Sequence, residues 1–99
     1  MTIISTGSPL LQKKIPLQVI IVEDSENDAL LVVRELRKAG YEPRWARVET
    51  GGELQVQLQN GDWDLVITDH NLPGFTSVDA LKIVRGAGDD IPVICHDPE

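Results

Sequence analysis

Val19-Ile20-Ile21-Val22-Glu23-Asp24-Ser25-Glu26-Asn27-Asp28 reads as a buried strand, an acidic edge and a helix start, in that order. Four consecutive β-branched residues without polar alternation suit a strand covered on both faces, the habit of parallel rather than antiparallel sheets. The run ends in two carboxylates, Glu23 and Asp24. Ser25 then offers an oxygen to the orphan N–H groups of a first helical turn, with Asp28 at the capping-box position. Ala29, Val32, Val33 and Leu36 recur at helical spacing, and Gly40 supplies a left-handed stop.

The alternation repeats downstream. A weaker strand spans about Glu42 to Val48, with Trp45, Ala46 and Val48. Thr50 with Glu53 repeats the capping box and opens a second helix, which carries Leu54 and Leu58 on one face and ends at Asn60-Gly61. Leu65-Val66-Ile67 is another continuous buried strand, and it too ends in acid, at Asp69. The loop Asn71-Leu72-Pro73-Gly74 leads to a helix from about Thr76 to Arg85, with Val78, Leu81 and Val84 expected to face inward. Ile91-Pro92-Val93-Ile94 is a fourth strand. Strands alternating with helices imply an α/β fold with a parallel sheet and right-handed crossovers. Upstream, residues 1–16 show no periodicity, are interrupted by Gly7, Pro9 and Pro16, and read as a leader or linker, which leaves 17–99 as one domain.

Composition excludes several function classes. A net charge of −7, with nine Lys and Arg scattered along the chain, argues against a nucleic-acid surface, which needs a basic patch. The single cysteine, Cys95, cannot form an internal disulfide, and its place after Val93-Ile94 predicts a small buried apolar residue. No stretch approaches the ~18 apolar residues of a membrane span. Lys13 and Lys14 follow the apolar pairs Ile3-Ile4 and Leu10-Leu11, the wrong order for a signal peptide, so a cytoplasmic protein is expected. Trp45 and Trp63 flank strands as packing residues, while His70 and His96 lack metal-ligand spacing.

In open α/β sheets, ligands bind beyond the carboxyl ends of the strands, where strand order reverses. One strand delivers Glu23-Asp24 to that edge and another delivers Asp69. Any one of these acids is accounted for as a helix cap; the three together are not. At an effective dielectric of ~20, two carboxylates ~4 Å apart repel by about 4 kcal/mol, which calls for a cation. Oxygen donors alone suit Mg²⁺. Such an ion would also shield an arriving phosphoryl group from Asp69, whose carboxylate could attack phosphorus and hold an acyl phosphate.

Three pieces then match a known family: Val19 to Asp28, Leu65-Val66-Ile67-Thr68-Asp69-His70-Asn71-Leu72-Pro73-Gly74-Phe75, and Asp90-Ile91-Pro92-Val93-Ile94. In this order and spacing, the chain from Leu17 to Ile94 resembles the receiver domain of bacterial two-component response regulators. The resemblance implies a flavodoxin-like, three-layer α/β/α parallel sheet and a phosphorelay signalling module rather than a conventional enzyme. It makes Asp69 the acceptor of a phosphoryl group from a histidine kinase or phosphotransfer protein. It assigns Mg²⁺ to Glu23, Asp24 and Asp69, with the backbone carbonyl of Asn71 completing the ligands.

The departures carry expectations of their own. Where the family ends its fourth strand with Thr or Ser, counting from Pro92 gives Asp97, and the sequence ends at Glu99 ahead of α4-β5-α5 and their Lys. A truncated receiver is therefore expected, prone to self-association through an uncovered edge at Val93 and Ile94. The alternative is a degenerate, non-phosphorylated interaction module or a non-functional fragment. Two other classes fit less well. A haloacid-dehalogenase-like phosphatase needs an acid where Asn71 stands, and a flavin site would be repelled by Glu23-Asp24-Ser25-Glu26.

Overall fold

The computed structural model describes residues 14–69, 74–88 and 90–96, the last of these through its backbone. Its elements are β1 (Ile15–Val22), α1 (Glu26–Lys38), β2 (Tyr41–Val48), α2 (Gly51–Asn60), β3 (Leu65–Asp69), α3 (Ser77–Gly86) and β4 (Val93–His96). All strand pairs are parallel, in the order β2-β1-β3-β4. The expected flavodoxin-like arrangement is thus present over these elements.

Residues Val19 to Val22 pair with β2 on one side and β3 on the other, so their side chains alternate between two separate cores. Ile20 and Val22 join Val48, Val66, Leu54 and Leu58 of α2, and Ala80 and Val84 of α3. Val19 and Ile21 join Ile67 and the α1 residues Ala29, Val32 and Val33. Helices on both faces explain why the strand carries no polar alternation. Full burial of a Val or Ile contributes about 1.5–3 kcal/mol, so β1 alone anchors both layers. Trp63 packs against the first core and Trp45 against the second, as packing residues.

Several boundaries differ from the sequence reading. β1 starts at Ile15, two residues inside the stretch read as leader. Ile15 N–H donates to Gly40 on the β2 side, so Pro16 turns its missing N–H to the β3 side, ahead of Val19, where β3 pairing begins. Gln18 is held on that side by Asp64, whose Oδ2 accepts its N–H at 2.8 Å. β4 runs from Val93 to His96 rather than from Ile91, and Cys95 pairs with Thr68. Cys95 is exposed, not buried, because β4 is the sheet's edge among the described residues. Ile94 is likewise half-exposed.

The helices begin where capping chemistry places them. Thr76 and Asp79 form a complete reciprocal box at α3. At α1 and α2 only the hydroxyl half forms: Ser25 N–H goes to Glu23 and Glu53 reaches back to the Glu49 N–H. On α3, Ala80 and Val84 face inward while Val78 and Leu81 are exposed. A spacing of three falls about 60° short of a 3.6-residue turn, so a 78-81-84 series drifts off the buried stripe. Among the described residues, no helix is long and apolar enough to cross a membrane.

Candidate functional site

β1 has β2 on one flank and β3 on the other, which makes the β1–β3 boundary the point where strand order reverses. The last rung between them pairs Val22 with Thr68. One residue further, the chain delivers Glu23 on one side and Asp69 on the other, with Asp24 following. A carboxylate oxygen from each of Glu23, Asp24 and Asp69 lies within 4.8 Å of the others. Residues far apart in sequence meet here because parallel strands end at the same edge.

Glu23 is the inner member, only 4% exposed, whereas Asp69 is half-buried and Asp24 exposed. Its N–H extends the β1–β2 ladder to the Val48 carbonyl at 2.9 Å. Its Oε2 accepts the Ser25 N–H at 3.0 Å. Burial pushes the Glu23 carboxyl up to about 7; the Ser25 N–H opposes this, while hydrogen bonds to Asp69 and Asp24 and the charge of Asp69 add to it. Below about pH 7 a carboxyl in this position keeps a proton that lets it bond to neighbouring acids. A divalent cation could replace that proton, and the donor set, all hard oxygens, fits Mg²⁺.

Two participants were not foreseen from sequence. Arg47, near the end of β2, donates from Nη1 to the Glu23 carbonyl at 3.2 Å and to Glu49 Oε2 at 3.1 Å. An arginine inside a strand stretch was its only sequence trace. Thr68, adjacent to Asp69, is 1% exposed and its Oγ1 has no hydrogen-bond partner among the described residues. Asn71, the expected carbonyl ligand, lies outside the described residues, as do His70 and Asp97.

The sequence profile described as the response regulator receiver domain matches residues 19–96. The chain belongs to the response regulator receiver family. Receiver domains are signalling modules of two-component systems. Among curated relatives, the chemotaxis protein CheY of Pseudomonas aeruginosa is 30% identical over 69 residues, covering 70% of this chain and 55% of that protein. CheY-3 of Vibrio cholerae is 32% identical over 69 residues, covering 70% and 52%. The chain therefore spans about half the length of these CheY proteins. Among solved structures, the receiver domain of a Pseudomonas aeruginosa sensor histidine kinase superimposes with a TM-score of 0.61 at 20% identity, over 81% of this chain and 66% of that one. That structure was determined with a magnesium ion coordinated in its active-site cleft.

Proposed function

We propose that this receiver accepts a phosphoryl group on Asp69 in a Mg²⁺-dependent phosphorelay step. The observation that carries the reading is the convergence of Glu23, Asp24 and Asp69 at the strand-order reversal, their oxygens within 4.8 Å of one another. Mg²⁺, held by Glu23, Asp24 and Asp69 with the Asn71 carbonyl, would supply charge neutralisation for the incoming phosphate. A carboxylate oxygen of Asp69 forms the new O–P bond while the P–N bond of a donor phosphohistidine breaks, its electron pair remaining on the imidazole. Asp69 is suited to this because it is half-buried, reachable from solvent, and fixed at a strand end.

A histidine kinase or phosphotransfer protein in the cytoplasm is the natural donor for such a module. Among the described residues β4 is the outermost strand and Ile94 is half-exposed on it, which supports self-association as a secondary property. The test is labelling with a phosphorylated kinase or a small phosphodonor. Label should require Mg²⁺, be base-labile, and vanish in Asp69→Asn. Label that survives this substitution sinks the reading.

A further inference from the structure

We infer that Arg47 is a positioning residue of the acidic cluster, holding the Glu23-Asp24 segment in its cation-binding geometry. This rests on the reading of Glu23, Asp24 and Asp69 as a divalent-cation site. The main chain of Glu23 is tied to β2 through both of its polar groups: its N–H to the Val48 carbonyl, and its carbonyl to Arg47 Nη1 at 3.2 Å. That carbonyl belongs to the peptide joining Glu23 to Asp24, so its orientation directs where the Asp24 side chain begins. A second contact steadies the guanidinium, because Glu49 Oε2 accepts from the same nitrogen at 3.1 Å. Glu49 is itself held by its N–H to Glu53 Oε1 at 2.7 Å, in the first turn of α2. A line of bonds thus runs from α2 through Glu49 and Arg47 to the acid segment, apart from the Ser25 contact that fixes the Glu23 carboxylate.

Charge and position predict opposite outcomes, which makes the inference testable. If Arg47 acted only as a nearby positive charge, removing it would tighten cation binding. If it positions the segment, removing it weakens binding, as loss of groups that orient metal ligands does by about tenfold to a hundredfold. The experiment is Mg²⁺ titration of the whole chain, followed by amide NMR, for wild type, Arg47→Met, Arg47→Lys and Glu49→Gln. Arg47→Met should raise the Kd for Mg²⁺ about tenfold with the metal-free circular dichroism spectrum unchanged. Arg47→Lys, which keeps a donor for the Glu23 carbonyl, should recover most of that loss, and Glu49→Gln should fall between. Should Arg47→Met fail to fold, the Lys and Gln variants decide by the same ordering. Unchanged or tighter Mg²⁺ binding in the variants overturns the role of Arg47 while leaving the site intact. Absence of saturable binding in the wild type removes the site, and the role of Arg47 with it.

Discussion

Replacing Glu23 with Gln removes the one buried acid among the described residues and nearly preserves its shape. The amide oxygen can still accept the Ser25 N–H, and the amide nitrogen can donate to Asp24 and Asp69 without a borrowed proton. In wild type the carboxyl moves from 4.5 in the unfolded chain to about 7 in the fold, chiefly through burial. Between those values the native state binds more protons than the unfolded state, so stability falls as pH rises through the window. The loss is complete above the folded value. At 1.36 kcal/mol per pKa unit the ceiling is about 3 kcal/mol, and water at the open sheet edge reduces this to about 2 kcal/mol. For a domain of this size that is roughly 10 °C in Tm. Urea and thermal unfolding with EDTA, followed by the fluorescence of Trp45 and Trp63, should show Glu23→Gln more stable than wild type at pH 8. The gap should close near pH 4.5. Saturating Mg²⁺ should then stabilise wild type at pH 8, by about 1.4 kcal/mol at ten times Kd, and leave the variant little changed. A difference between the two proteins that is constant across pH would refute the reasoning.

Three further outcomes are expected. Asp24→Asn should markedly weaken Mg²⁺ binding in an NMR titration, whereas Asp28→Asn should not, since Asp28 serves the α1 cap and lies outside the cluster. Thr68→Val should raise the urea midpoint by about 1 kcal/mol in stability at constant m-value, because it removes a buried hydroxyl that has no partner among the described residues; a lower midpoint would mean that the hydroxyl is satisfied in solution. Thr76→Ala should cost about 1 kcal/mol in the same assay by opening the one complete capping box, at α3.

The α/β architecture was legible in the sequence because its signals are local. Val19 to Val22 and Leu65 to Ile67 are apolar without alternation, which only a strand covered on both faces requires, and Ser25, Thr50 and Thr76 start helices through contacts within one turn. The acids were legible for the same reason, since each ends such a strand, and their meeting follows from parallel pairing alone. What depends on neighbours brought from elsewhere was not legible. Cys95 follows an apolar run yet is exposed, because burial is set by position in the sheet and β4 lies at the edge among the described residues. Val78 and Leu81 are apolar yet face outward, because the helix turns on Ala80 and Val84. The capping boxes expected at Ser25 and Thr50 form only in their hydroxyl halves, since the fold gave Ser25 N–H to Glu23 and Glu53 to the Glu49 N–H. The raised Glu23 carboxyl and the Arg47 bond to its carbonyl arise only where β1, β2 and β3 end together. Sequence determined which groups reach that edge, since strand and cap signals act over a few residues. Tertiary structure decided which of them is buried, protonated or clamped, since dielectric and hydrogen-bond geometry depend on what the other strands bring alongside.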